Sequence, residues 1–228
     1  MKLNLLHRKT EVPGVESFIF QPVESVTWKA GQFFHYVLHH EPTDDRGSDR
    51  WFTIAAAPSE KVVMITTRFT SEQGSSFKKA LADFNIGDAI EVSDLDGDFT
   101  IDDLAKEYVF IAGGIGITPF RAILKDLDQK GEQIAATLLY ANRDQNIVYK
   151  DELEEFAKHN PKLKIHYVIS PERIDVAKIK ELIPDMQKPM FYISGPEPMV
   201  ESLGSALKEA GIGADHLKQD WFPGYPAE

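Results

Sequence analysis

Tyr108-Val109-Phe110-Ile111-Ala112-Gly113-Gly114-Ile115-Gly116-Ile117-Thr118-Pro119 is the stretch whose reading decides the fold. Five mostly apolar and aromatic residues run into a glycine-rich turn, and a helix follows. Glycine permits so tight a turn and lets a phosphate come close to the backbone, because no Cβ stands in the way. Thr118 suits a helix cap and Pro119 suits the first turn, where a missing N–H leaves nothing unsatisfied. Phe120, Ile123, Leu124 and Leu127 then form an apolar stripe at helical spacing, which Gly131 ends. Unpaired N–H groups at a helix start, together with the helix dipole, favour an anion. The same letters also suit an ordinary strand-to-helix turn, since they do not give the full G-x-G-x-x-G fingerprint. The flanking sequence decides between the two.

Outward from this turn, residues 105–228 alternate strand and helix patterns. Strands are expected near 108–112, 134–141, 163–169 and 190–194, and helices near 119–130, 150–159, 176–183 and 197–210. That alternation predicts a parallel sheet with helices on both faces, which binds ligands at the carboxyl ends of its strands. Gly113 to Thr118, Asn142-Arg143-Asp144 and Ser194-Gly195-Pro196-Glu197 fall at such ends. The tail, Lys218 to Tyr225, carries Trp221, Phe222 and Tyr225. Either it packs as a last strand, or one of its aromatics covers a ligand, or both.

Residues 1–104 read differently. Six short runs rich in Val, Ile, Phe, Tyr and Thr (2–9, 15–21, 32–38, 51–55, 62–68 and 89–93) predict a small antiparallel barrel interrupted by one helix, Ser75 to Asp83. In Arg50-Trp51-Phe52-Thr53 the arginine either clamps a phosphate with its planar fork or lies solvated. Phe52 either stacks on an aromatic ligand or fills the core. Gly74-Ser75-Ser76 opens the helix, either as a second anion site or as a simple N-cap by Ser75.

Composition narrows the classes. A length of 228 residues allows two modest domains, expected at 1–104 and 105–228. The 43% apolar and 27% charged fractions are those of a soluble globular protein. No apolar run approaches the roughly 20 residues of a membrane span. Residues 1–9 place a charge too early for a signal peptide, so a cytoplasmic location is expected. The absence of cysteine excludes disulfides, a cysteine nucleophile and a cysteine-ligated iron–sulfur cluster in this chain. His39 and His40 point to opposite faces of a strand, so no metal site is expected. A net charge of −11 argues against a broad nucleic-acid surface. The aspartates at 94, 96, 98, 102 and 103 read as a solvated turn, not a calcium loop.

Taken in order, these motifs resemble the ferredoxin–NADP(+) reductase family of flavoproteins. The resemblance implies one FAD in the barrel and NADH or NADPH on the sheet. Arg50-Trp51-Phe52-Thr53 is similar to the family's Arg-x-Tyr-Ser/Thr flavin motif, with Phe52 lacking the tyrosine hydroxyl. By resemblance, Arg50 holds the FAD pyrophosphate, the motif's aromatic, Phe52, flanks the flavin, Thr53 contacts its N5, and Trp51 is carried with them as a cofactor-binding residue. Gly74-Ser75-Ser76 resembles the second FAD motif, and Thr66, Thr67 and Arg68 are carried with it as flavin contacts. Gly113 to Pro119, with Gly113, Gly114, Gly116, Thr118 and Pro119, matches the nucleotide motif Gly-Gly-x-Gly-x-Thr-Pro in full. Ser194-Gly195-Pro196 resembles Cys-Gly-Pro, with serine in the cysteine's place, and Met199 follows it. Asn142 and Arg143 are expected at the nucleotide, with Arg143, Ser170 and Arg173 as candidates for a 2′-phosphate. Thr53, Ser194 and Asp220 are the candidate catalytic residues, and Trp221, Phe222 or Tyr225 is expected over the ring. The implied activity passes hydride from NAD(P)H to flavin and electrons to a separate acceptor, ferredoxin or flavodoxin first. Ferric chelates, a cytochrome or an oxygenase component are alternative acceptors, and a non-catalytic nucleotide-binding subunit is the alternative class.

Overall fold

Alternating burial shapes the first half. In β1 (Lys2–Val12), Leu3 and Leu5 are buried while Lys2, Asn4 and Leu6 face solvent. A computed structural model describes residues 1–69 and 74–222, with only the backbone of Phe222. The other strands of this half are β2 (Val15–Pro22), β3 (Phe33–Val37), β4 (Asp49–Thr53), β5 (Val63–Arg68) and β6 (Ala89–Asp96). They form one antiparallel sheet in the order β4-β3-β6-β1-β2-β5. The sheet curls until its edges touch, where the Ala55 N–H donates to the Met64 carbonyl at 2.8 Å. It does not close into a full barrel: after three alanines, Pro58 opens a 3-10 turn (Pro58–Glu60) and ends the run. Helix α1 (Ser76–Ala82) buries Phe77 and Leu81 against this sheet, and Ser75 caps it by accepting from the Lys78 N–H at 3.2 Å.

The second half is a parallel sheet of β7 (Glu107–Gly113), β8 (Ala135–Asn142), β9 (Leu163–Ile169), β10 (Met190–Pro196) and β11 (Leu217–Phe222), in the order β11-β10-β7-β8-β9. Its helices are α2 (Thr118–Lys130), α3 (Lys150–His159), α4 (Val176–Leu182) and α5 (Glu197–Glu209). The strand order reverses between β7 and β10, and sheets of this kind bind ligands outside the carboxyl ends of the strands at such a switch point. The tail is therefore a strand up to Phe222, paired in parallel with β10 so that Ser194 faces Asp220 and Gly195 faces Trp221.

One apolar core joins the curled sheet to one face of the parallel sheet. Phe99, which follows the curled sheet, packs edge-on against Phe120 of α2 (5.4 Å) and Tyr192 of β10 (4.9 Å). A second core lies on the opposite face, among Ile111, Ile193, Val200 and Leu207. No helix among the described residues is long and apolar enough to cross a membrane.

Candidate functional site

The glycine turn folds as expected, but most of its glycines serve protein packing. A Cβ on Gly116 would stand 2.2 Å from the Ser194 carbonyl oxygen, and one on Gly113 2.4 Å from the Met199 sulfur. One on Gly195 would stand 3.2 Å from the Gly113 backbone. These three positions let the tips of β7 and β10 touch. Gly114 differs: it has φ +53° and nothing within 4 Å of where a Cβ would be. It is the position of the turn that opens onto space, and the Tyr140 hydroxyl fixes its peptide by donating to the Gly114 carbonyl at 3.0 Å.

Thr118 is not the helix cap. A 3-10 turn over Gly114–Ile117 runs directly into α2, so Thr118 is already helical. Its hydroxyl donates back to the Ile115 carbonyl at 3.1 Å. A residue with helical backbone cannot present its side chain to the N–H groups ahead of it as an N-cap does.

Ser194 is fully buried, and its hydroxyl donates to Asp220 Oδ2 at 3.0 Å across the β10–β11 register. Burial pushes the Asp220 carboxyl up to about 6, against the lowering effect of the Ser194 bond and with help from the charge of Asp98. Trp221, its neighbour, is half-exposed. Asn142 ends β8, and its carbonyl accepts from the Ser170 N–H at 3.0 Å, so Arg143 and Ser170 lie at adjoining strand ends. Tyr225 and the Phe222 side chain lie outside the described residues.

On β4 the pleat separates the motif. Arg50 and Phe52 face α1: the guanidinium lies 5.5 Å from the Phe77 ring, and Phe52 is 5.8 Å from Phe77 and 5.7 Å from Tyr36. Trp51 faces the other way, 48% exposed, and stacks on His35 at 4.6 Å. Thr53 is buried. Arg50 Nη1 donates to the carbonyls of Arg46 (2.6 Å), Gly47 (3.3 Å) and Asp49. The start of α1 holds a carboxylate from the same loop, since Asp44 Oδ2 accepts from the Ser76 N–H at 2.7 Å. That bond, together with Arg46, holds the Asp44 carboxyl well below its usual range. The Ser76 hydroxyl accepts from the Asp44 N–H (3.0 Å) and bonds His40 Nε2 (2.8 Å). Both elements expected at a pyrophosphate thus converge on segment 44–47. On β5, Thr66 bonds Ser17 (2.6 Å) and Tyr149, and the Arg68 carbonyl accepts from Lys78 Nζ at 3.1 Å.

A family profile described as an oxidoreductase NAD-binding domain matches residues 110–204, which span the glycine turn and the β10 tip. Over that span the chain belongs to the oxidoreductase NAD-binding domains, and as a whole it is similar to the ferredoxin–NADP(+) reductase-like oxidoreductases. It is 32% identical over 176 residues to the phenoxybenzoate dioxygenase subunit beta of Ectopseudomonas oleovorans, covering 75% of this chain and 51% of that one. The fold is shared with the FAD/NAD-binding domain of a nitric oxide dioxygenase from Vibrio cholerae (TM-score 0.83, 19% identity, 97% of this chain and 98% of that one). It is shared equally with a ferredoxin–NADP(+) reductase from Neisseria gonorrhoeae (TM-score 0.80, 17% identity, 97% and 98%). The chain spans about half the length of most of the curated relatives it matches.

The residues of this reductase-like chain suit a flavin nucleotide. Arg50 Nη2 and Thr67 Oγ1 are buried and have no partner among the described residues. Buried donors are normally paired, so two left open on the motif strands fit acceptors from a bound ligand. Three residues escape sequence reasoning. Asp44 sits in a polar run with no motif. Tyr149 adopts φ +61°, which its identity does not foretell. Arg121 is buried within an apolar helix stripe, and its partners lie 31 to 66 residues away. No local signal reports any of these.

Proposed function

We propose that this chain is an NAD(P)H-dependent flavoprotein reductase, with a flavin unit at 1–104 and a nucleotide unit at 105–228. The observation that carries the reading is the switch point, where Gly113, Gly116 and Gly195 bring two strand tips together and leave Gly114 open. The early N–H groups of the turn and of α2 would receive the nucleotide pyrophosphate. Arg50, Ser75 and Thr67 would hold FAD, with Arg50 on the pyrophosphate. A bound flavin accepts a hydride and can release its electrons singly, which couples a nicotinamide to one-electron acceptors. The chain's part is orientation: the switch point seats the nucleotide, and Ser194 and Asp220 hold one proton between them at the strand tips. Trp221 would cover the ring, with Phe222 and Tyr225 as the alternatives. The electron acceptor is a separate redox protein, ferredoxin or flavodoxin. The similarity to a dioxygenase subunit favours an oxygenase component as the alternative.

The test is spectroscopic. Purified protein loaded with FAD should show bound-flavin absorbance that NADH or NADPH bleaches without oxygen. A flavin-loaded protein that neither nucleotide reduces would favour the non-catalytic alternative and overturn the reductase reading. For nucleotide choice, Arg143→Ala or Arg173→Ala should raise KM for NADPH more than for NADH. Equal effects would remove the 2′-phosphate assignment.

A further inference from the structure

We propose that Arg121 is a positioning residue whose guanidinium locks the flavin-side sheet to the nucleotide-side sheet. The inference rests on the reductase reading above.

Arg121 lies on α2, one helical turn beyond the end of the glycine turn, and its side chain is only 7% exposed. All five of its N–H donors are engaged. Nη1 donates to the Ala55 carbonyl (3.0 Å) and to Glu60 Oε2, and Nη2 donates to Glu60 Oε1 (3.0 Å). Nε and Nη2 donate to the two oxygens of Glu152 on α3, at 2.9 and 2.8 Å. Lys125 stands 3.7 Å from Glu152 and brings the group to two cations and two carboxylates. Burial disfavours the guanidinium charge, but the bonds from Glu60 and Glu152 outweigh it and hold the pKa above the ordinary arginine value.

The partners are what make this more than an ion pair. Ala55 and Glu60 belong to the segment that continues β4, the strand of Arg50 to Thr53. Arg121 itself belongs to the helix that continues the Gly113–Ile117 turn. One planar fork therefore ties the two segments expected to carry the two cofactors. Tyr149 makes a second tie beside it: its ring lies 5.7 Å from the Arg121 guanidinium, and its hydroxyl bonds Thr66 of β5. A buried ion pair adds little stability over apolar packing. A doubly bidentate guanidinium does fix direction, which a lysine's point charge cannot. Hydride transfer is sensitive to displacements on the order of 1 Å.

The experiment compares wild type with Arg121→Lys and Glu60→Gln, each a conservative change that keeps the core filled. In single-turnover reduction at saturating nucleotide, both variants should reduce flavin more slowly, by about tenfold for Arg121→Lys. FAD Kd and nucleotide KM should stay within about twofold, a split that general destabilisation would not give. In the apoprotein, hydrogen exchange at the Ala57 amide, which donates to Glu60 at 2.7 Å, should quicken in both variants. Flavin reduction at the wild-type rate in both variants overturns the proposal, even if exchange quickens. Unchanged exchange in both overturns it as well, whatever the rates. A wild type that takes no flavin would sink the reductase reading instead, and the exchange measurement would still judge the lock.

Discussion

At the residue scale, Gly116 and Gly114 are both glycine for different reasons. Gly116 is held by a carbonyl that a methyl group would strike at 2.2 Å, and Gly114 by a left-handed backbone facing open space. Gly116→Ala should therefore destabilise by about 2–4 kcal/mol, since backbone must move. Gly114→Ala should cost about 1 kcal/mol, the ordinary penalty of that conformation. Urea denaturation of the two variants checks the order, and equal losses would contradict the packing argument. Asp220 carries a pH prediction. Its folded pKa near 6 lies above the unfolded value of about 3.9. Between these values the folded state keeps a proton that the unfolded state has lost, so this group's contribution falls as pH rises from about 4 to 6. Asp220→Asn should flatten that slope and raise stability at pH 7.5 by ~1–2 kcal/mol, discounted for partial exposure. Melting temperatures across pH 4–8 measure it, and an unchanged slope would show that Asp220 titrates normally.

At the element scale, α1 and α2 begin in different ways. Ser75 caps α1 from outside the helix, as its sequence position suggests. Ser75→Ala should cost about 1 kcal/mol, read as a lower melting temperature of the apoprotein. An unaltered melt would mean the cap bond contributes nothing. The start of α2 is a 3-10 turn with no side-chain cap, so Thr118→Ala should lose much less than Ser75→Ala in the same measurement. The curled sheet shows the same dependence on local chemistry. Its β4 edge gives way to Pro58 and the 3-10 turn, and among the described residues the Ala55–Met64 backbone bond joins the two edges.

At the scale of the whole molecule, the two sheets share a core instead of meeting at a wet interface. Phe99, Phe120 and Tyr192 pack across the junction, and the Tyr192 hydroxyl donates to the Thr100 carbonyl at 2.8 Å. Arg121 and Tyr149 add polar ties. Unfolding should therefore be one cooperative transition, with circular dichroism and tryptophan fluorescence midpoints coinciding. Two separated midpoints would mean the halves fold independently. Residues 1–104 expressed alone should lack a sharp melt, because Phe99 and its neighbours would lose their partners.

Period-two and period-3.6 patterns are properties of neighbouring letters, so the strands and helices, the barrel-like half and the alternating half were all written locally. So was the order of glycine and hydroxyl motifs that marks the family-like switch point. Contacts between residues far apart in the chain were not. Which glycines pack and which one opens, the Ser194–Asp220 bond, the Asp44 carboxylate at the start of α1 and the five bonds of Arg121 depend on how distant segments meet. A sequence specifies those distances only through the completed fold, and there the tertiary structure alone decided them.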